Sequence, residues 1–449
     1  MIKIGLEVHV QLDTKSKIFC GCSTKNVEEP NTNCCPTCIG MPGSKPVFNL
    51  EVLKQALKVA LALNCKITNN TFFSRKTYFY PDMNKNFQIT QYELPLAIEG
   101  SLNNIRIRRV HMEEDPGKLV HMNESCLVDY NRAGIPLIEI VTEPDFKDAE
   151  EARVFLNRLI TTLEYLGVYT RISEASLRAD VNISMDGGER VEVKNVNGIK
   201  DVERVLNYEI IRQKQEKAVR ETRAWDSEKG ITFSLRKKET EEDYGYITEG
   251  DLTQIEIDKK LIEEVRKNIP ELSHERVERY IKKYNIARDD AEAIAAEFLL
   301  SELYDKVAVN VDPVLAAKWM RRELMRVVHY NKLNLHDLEM DENHLIQLLK
   351  LIESGKITAQ VGQRLIEKLI EKPFDVEEYV KKEGLGSLSE AGELEKYCKE
   401  VIKENPKPTE DYKKGEEKAL HFLVGKVMRL TKSKATPKEV NEILRRLIK

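Results

Sequence analysis

The run Ile2-Lys-Ile-Gly-Leu-Glu-Val-His-Val10 alternates without a break. Ile2, Ile4, Leu6, Val8 and Val10 fall on one side, and Lys3, Gly5, Glu7 and His9 on the other. Period two is the mark of a strand buried on one face. Similar strand-like runs follow at Thr71–Tyr80, Ile105–Met112, Leu127–Asn131 and Leu137–Val141. Helical patterns interrupt them. Asn49 caps one helix with apolar residues at Leu53, Ala56, Leu57, Ala60 and Leu61, and Glu150–Leu166 and Val202–Lys217 are two more. Leu177–Met185 and Arg190–Val196 flank Asp186-Gly187-Gly188, a turn suited to a tight hairpin.

Near residue 255 the pattern changes to periodic helices. Asp312 caps one, with Pro313 in its first position, Thr358 caps another that closes at Pro373, and Thr436-Pro437 repeats the start signal. Glu383–Ser389 and Asn405-Pro-Lys-Pro408 read as linkers. A chain of 449 residues has length for more than one core. The expected class is α+β, with a mixed α/β part first and helices after it.

Composition narrows the function. The chain is 33% charged and 41% hydrophobic, and no apolar run nears the roughly 20 residues of a membrane helix. The N-terminus has no basic segment followed by an apolar one, so a cytoplasmic protein without a membrane association is expected. A net charge of −4 argues against a general nucleic-acid coat. From Lys418 onward, however, nine Lys or Arg face only Glu439 and Glu442, which points to a local RNA-binding segment. Eight cysteines in this length make no disulfide framework, and Cys34, Cys65, Cys126 and Cys398 are expected as free thiols.

Cys20-x-Cys22 and Cys35-Pro-Thr-Cys38 are two short pairs joined by a polar loop, the scaffold of a closed tetrahedral zinc site. Cys34 is a rival ligand, and Cys35 is preferred for its knuckle spacing. Four thiolates leave no open position, so such a site is structural.

Other candidates are polar. Glu7 and His9 share a strand face and can hold a cation or act as an acid/base pair; the plainer alternative is a solvent-facing edge. Lys76, Tyr78 and Tyr80 alternate in Lys76-Thr-Tyr-Phe-Tyr-Pro-Asp82, either a stacking strip for a base beside a phosphate or a half-buried strand. Glu113, Glu114 and Asp115 crowd three carboxylates together, a magnesium site or a solvated turn. Arg178, Asp180 and Asn182 lie on one face of the hairpin's first strand, and Glu192 and Lys194 on one face of the second, a set that reads as site-lining. No P-loop, dinucleotide fingerprint, nucleophile elbow or zinc-deaminase signature is present.

Taken together, Gly5-Leu-Glu-Val-His-Val10, the cysteine knot with Pro30-Asn-Thr32, Gly40-Met-Pro-Gly43, Tyr78-Phe-Tyr-Pro-Asp82, Gln88-Ile-Thr-Gln-Tyr92, His111-Met-Glu-Glu-Asp115, Asn131-Arg-Ala-Gly-Ile-Pro-Leu-Ile-Glu139, Ser176-Leu-Arg-Ala-Asp180, Val191-Glu-Val-Lys-Asn195 and Phe422-Leu-Val-Gly-Lys-Val-Met428 resemble the B subunits of the aspartyl/glutamyl-tRNA amidotransferases (the GatB family) over nearly the whole chain. The resemblance implies a catalytic cradle domain over 1–290, a helical domain over 291–380 and a YqeY-like tail over 381–449. It implies an enzyme that phosphorylates the side-chain carboxylate of Asp-tRNA(Asn) or Glu-tRNA(Gln) with ATP. Ammonia from a partner amidase, the A subunit, bridged by a small C subunit, then displaces the phosphate. By similarity, Glu7, His9 and Glu114 would hold magnesium, with Glu113 a weaker candidate. Lys76 and Arg178 would meet phosphate or the oxyanion. Tyr80, Asp180, Glu192 and Lys194 would position substrate or ammonia. Lys426, Arg429, Lys432 and Lys434 of the basic tail would meet the tRNA. One departure is Tyr244-Gly-Tyr-Ile-Thr-Glu-Gly-Asp-Leu252, where the family often reads Tyr-Arg-Tyr-Phe-Pro-Glu-Pro-Asp-Leu. Two rivals remain: the related archaeal E-type protein, which carries an extra inserted domain, and a zinc-scaffolded tRNA-binding protein without catalysis. In the enzyme the polar residues must converge on one site; in the last rival they scatter.

Overall fold

The computed structural model describes residues 2–25, 27–122, 125–170, 177–237, 245–387, 391–431 and 434–448. The chain divides into two compact units, Met1–Leu272 and Ser273–Lys449. The class is the mixed one expected, sheet-rich first and helical after.

The first unit is built on a nine-stranded sheet. Its strands, in chain order among the smaller elements, are β1 (Ile2–Gln11), β2 (Lys66–Ile67), β6 (Ala97–Leu102), β7 (Ile105–Glu114), β10 (Pro136–Thr142), β11 (Leu177–Met185), β12 (Val191–Asn197), β13 (Glu221–Asp226) and β14 (Ile231–Lys237). Between them lie β3 (Asn70–Thr71), β4 (Ser74–Thr77), β5 (Phe87–Thr90), β8 (Lys118–His121) and β9 (Cys126–Asp129), and after them β15 (Gly245–Thr248) and β16 (Ile255–Glu256). The spatial order is β14-β13-β12-β11-β1-β10-β7-β6-β2. Only β12 and β13 run parallel; the other recorded pairings in this sheet are antiparallel. The opening strand therefore becomes a central one, between β10 and β11.

Its alternation does what period two requires. Ile4, Leu6, Val8 and Val10 are buried in the core. There they join apolar residues of α1 (Leu50–Ala62), α2 (Ala149–Tyr165) and α3 (Ile199–Gln215), such as Leu57, Phe155, Leu159 and Leu206. Each such side chain contributes roughly 1.5–3 kcal/mol by leaving water. Helices so cover one face of the sheet and leave the Glu7–His9 face for polar groups. Caps support the helices: Asn49 accepts from the Glu51 amide and Asp148 from that of Glu151.

Two expectations shift. The strand expected over Thr71–Tyr80 is broken, and β4 ends at Thr77 because the chain turns at Tyr80, whose carbonyl accepts from the Met83 amide. The Lys76-Tyr78-Tyr80 alternation is therefore not carried by one strand. In the second unit, Asn405-Pro-Lys-Pro408 is no linker: Pro406 is the first residue of a helix, Pro406–Lys413. A missing N–H costs nothing in that position. The second unit holds two separate apolar clusters, one from Val277 to Val380 and one from Leu394 to Ile448. Val277 and Tyr280 pack into the first of them.

Candidate active site

Register assembles the polar face of the large sheet. His111 lies opposite Glu139, Glu139 opposite His9, and His9 opposite Arg178, a row across β7, β10, β1 and β11. One step along, Glu7 lies opposite Asp180, and Asn182 opposite Glu192. Side chains opposite one another stand within reach, so pairing alone brings these groups together.

They form two clusters. In the first, one ligand atom each from His9, Glu113 and Glu139 lies within 4.8 Å of the others. His9 Nε2 is 3.6 Å from Glu113 Oε1 and 3.3 Å from Glu139 Oε2. His111 Nε2 is 3.1 Å from Glu139 Oε2 and 3.8 Å from Glu113 Oε2. Thr90 Oγ1 donates to Glu113 Oε2 at 3.2 Å. Burial pushes the His9 imidazole down, but the hydrogen bond to Glu139 and the charges of Glu139, Glu113 and Asp180 outweigh it and hold it up at about 9. Burial pushes Glu139 up, yet His111 and His9 hold it well below the usual carboxylate range.

The second cluster joins Glu7, Asp180 and Glu192, also within 4.8 Å. Lys194 Nζ sits among them, 2.8 Å from Asp180 Oδ2 and 3.1 Å from Glu192 Oε1. A bulge positions that lysine. The β11–β12 register shifts between Ala179 and Val181. Within the bulge Asn195 takes a left-handed φ of 53° and donates its N–H to Asp180 Oδ1 at 2.8 Å. An asparagine suits that conformation. Asn182 Nδ2 donates to Glu7 Oε1 at 3.0 Å. Burial, with repulsion from Glu139 and Asp180, raises the Glu7 carboxyl above its ordinary value. Lys194 is held well above its ordinary value because Asp180, Glu192 and Glu7 outweigh its burial.

Above the first cluster, Arg178 reaches Asp115 Oδ1 at 2.8 Å, and Gln11 Nε2 donates to Asp115 Oδ2 at 2.7 Å. Lys76 lies opposite Gln88 in the small sheet β15-β4-β5, on the face shared with Thr90. Thr90 of that face is the residue that donates to Glu113. Tyr80 is half exposed beyond β4 and belongs to neither cluster.

The expected cation set Glu7, His9 and Glu114 does not come together. Glu7 and His9 serve different clusters, and Glu114 points to the other side of β7. There Lys85 Nζ pairs with it at 2.5 and 2.7 Å, and it accepts the Ile89 amide at 2.9 Å. Glu113 takes the place expected of Glu114. Glu139 and His111 complete the cluster without having been singled out as ligands. The available signal was Glu139 itself, the one charged residue in the wholly buried strand Pro136–Thr142.

The His9 cluster suits a hard cation. Magnesium accepts one or two carboxylates and keeps places for waters and phosphates. Neighbouring ligands around it lie about 3 Å apart at ~2.1 Å bond lengths, close to the 3.3 and 3.6 Å found here. The cysteine knot suits zinc. Cys20, Cys22, Cys35 and Cys38 bring four sulfurs within 4.8 Å of one another. Cys34 instead turns to the Asn31 carbonyl. Hydrogen bonding from Cys20 holds Cys38 down to about 5, while the same contact raises Cys20.

In the second unit, Phe422, Lys426 and Arg429 lie at helical spacing on Glu417–Leu430, with Lys426 Nζ 5.5 Å from the Phe422 ring centre. Lys434 is half buried. Lys432, Ser176 and Tyr244 lie outside the described residues. The rest of the divergent 244–252 segment is in place: Tyr246 stacks on Tyr92 with centres 4.0 Å apart, and Glu249 forms a two-pronged pair with Arg75.

The family described as the GatB/GatE catalytic domain matches residues 2–263, and that described as the GatB domain matches residues 302–448. The chain is similar to several proteins named as the B subunit of aspartyl/glutamyl-tRNA(Asn/Gln) amidotransferase. It is 43% identical to that of Methanothermobacter thermautotrophicus, covering 100% of each chain. It is 42% identical to that of Thermoanaerobacter sp., covering 98% of each. It is 43% identical to that of Caldicellulosiruptor saccharolyticus, covering 99% of this chain and 98% of the relative. Among the described residues no helix is long and apolar enough to cross a membrane.

Proposed function

The chain belongs to the GatB/GatE family, as the B subunit of a tRNA-dependent amidotransferase, and we propose that its polar sheet face carries out the carboxylate-activating half of that reaction. The substrate is the side-chain carboxylate of Asp-tRNA(Asn), Glu-tRNA(Gln) or both. A carboxylate does not yield to ammonia, because its leaving group would be oxide. Transfer of the γ-phosphoryl group of ATP to one carboxylate oxygen, with release of ADP, supplies phosphate as a better leaving group. Ammonia then forms the C–N bond, phosphate departs with the C–O bond electrons, and the added nitrogen loses a proton.

The observation that carries this reading is the convergence of two carboxylate clusters on one face, flanked by Arg178 and Lys194. His9, Glu113 and Glu139 would hold magnesium, which when bound offsets the charge of the transferring phosphoryl group. Arg178 and Lys76 meet phosphate oxygens and the oxyanion at the reacting carbon. Asp180 and Glu192 hold Lys194 toward the substrate, and no side chain has to act as a nucleophile. Cys20, Cys22, Cys35 and Cys38 would hold zinc, which when bound would fix the loop after β1. Lys426 and Arg429, with Lys434, meet the tRNA backbone, consistent with the second unit's separate apolar cluster from Leu394 to Ile448. The partners are an amidase that supplies ammonia and a small third protein.

The test is ADP release by the assembled complex given ATP, ammonium and each mischarged tRNA in turn. ADP should form only with mischarged tRNA, and Glu113→Gln should abolish it while tRNA binding persists. Amidation at the wild-type rate in Glu113→Gln would refute the assignment.

A further inference from the structure

We propose that His111 is a positioning residue that sets the geometry of both cation-binding carboxylates; this rests on the reading of His9, Glu113 and Glu139 as the cation seat. His111 is opposite Glu139 in the β7–β10 register, and its side chain is only 4% exposed. Its Nε2 stands 3.1 Å from Glu139 Oε2 and 3.8 Å from Glu113 Oε2. Its Nδ1 is buried and has no hydrogen-bond partner among the described residues. An imidazole that serves the core alone satisfies its polar atoms in the core. This one directs Nε2, the nitrogen engaged among the described residues, at two carboxylates.

The orientation of those carboxylates explains why. Glu113 turns Oε1 to His9 and keeps Oε2 for Thr90 and His111. Its inner oxygen is thus left for the seat, while the outer one is held from behind. Glu139 has His9 on one side and His111 on the other, both at Oε2. When His9 turns its nitrogen lone pair to a cation, it stops donating to Glu139. His111 is then the remaining imidazole donor holding that carboxylate. It touches no reacting atom in this arrangement, and acts through the two ligands that do.

Partners of this kind are worth about 10–100-fold in metal affinity. The experiment uses the assembled complex and measures Mn2+ affinity by electron paramagnetic resonance, without ATP or tRNA. His111→Met should weaken Mn2+ binding about 10–100-fold, and raise KM for the ATP–metal complex more than it lowers kcat. His111→Gln, whose amide still donates toward Glu139, should stay within about threefold of wild type. tRNA affinity should be the same in all three proteins. If His111→Met does not assemble, His111→Asn, whose amide stops one bond shorter, is read in its place. Unchanged Mn2+ affinity in the folded short or apolar variant overturns the proposal, as does a His111→Gln loss as large as that of His111→Met. Unchanged Mn2+ affinity in His9→Ala and Glu113→Gln overturns the cation seat itself, so the two failures are told apart.

Discussion

Lys17 is wholly buried beside the cysteine knot. Its Nζ donates to the Asn33 carbonyl at 3.0 Å and lies 3.7 Å from Cys38 Sγ. A buried ammonium needs an anion nearby, since water no longer solvates it. The group within reach is a sulfur of the proposed zinc site, and four thiolates around Zn2+ leave two net negative charges. A unit charge pair at this distance is worth about 4 kcal/mol at an effective dielectric near 20. With the negative charge shared over four sulfurs, about half of that, roughly 2 kcal/mol, falls to the Lys17–Cys38 contact. Lys17→Met keeps the volume and removes the charge. It should therefore weaken zinc binding about 30-fold, as roughly 1.4 kcal/mol is tenfold. The metal-free protein should suffer less, because without zinc the sulfur cluster facing Lys17 falls from two net negative charges towards one, that of the Cys38 thiolate. Chelation should then lower the melting temperature of the wild type more than that of Lys17→Met. Zinc affinity is read by competition with a chromophoric chelator. Equal affinity in the two proteins, together with an equal chelation-induced drop, would refute the argument.

Glu113→Gln should lose Mn2+ binding, whereas Glu114→Gln should keep it and lose stability instead, because it strands Lys85 in a buried pair worth about 3–5 kcal/mol when broken; metal titration and thermal melts separate the two. Glu7→Gln should leave Mn2+ affinity near wild type while slowing amidation, and His9→Ala should lose both. Glu209 is fully buried and accepts from Arg212, Gln213 and Thr232. Burial alone would raise it, but these bonds hold it below its ordinary value. Its contribution is therefore complete above the unfolded carboxylate value and fades as pH falls through the lowered native one. Glu209→Gln should cost about 3–5 kcal/mol at pH 7, and the gap to wild type should narrow below about pH 4 in denaturant titrations. Lys426→Gln and Arg429→Gln should each weaken tRNA binding at low salt and reduce the salt slope by roughly 1, with ADP release at saturating tRNA unchanged.

Much of the sheet was legible because period two assigns faces without any knowledge of neighbours. Ile4, Leu6 and Val8 went inside, and Glu7 and His9 to the other face, as the alternation required. Asp180, Glu192 and Lys194 followed from the hairpin in the same way. Glu113 and Glu114 were the hard pair. Parity counted from Ile105 and Ile107, both buried, puts Glu114 on the polar side. A register shift on β7, where Val141 pairs with Arg109 but Thr142 with Ile107, inverts the parity beyond it. Val110 and Met112 then face the core, and His111 and Glu113 the polar side. A bulge is set by the partner strand, and its trace in the sequence is the doublet Arg108-Arg109, after which Val110 and Met112 resume the alternation in the opposite phase. Dependence on partner strands also hid the division between Glu7 and His9. Residues two apart on a strand are about 6.5–7 Å apart along the backbone. Neighbouring ligands of one magnesium ion are about 3 Å apart. Both could serve one ion only by leaning together. Antiparallel pairing draws them to opposite sides instead, Glu7 to Asp180 and Asn182 on β11, and His9 to Glu139 on β10. A strand with two partners can thus feed two charge clusters from one face, and β1 does so because it lies at the middle of the sheet.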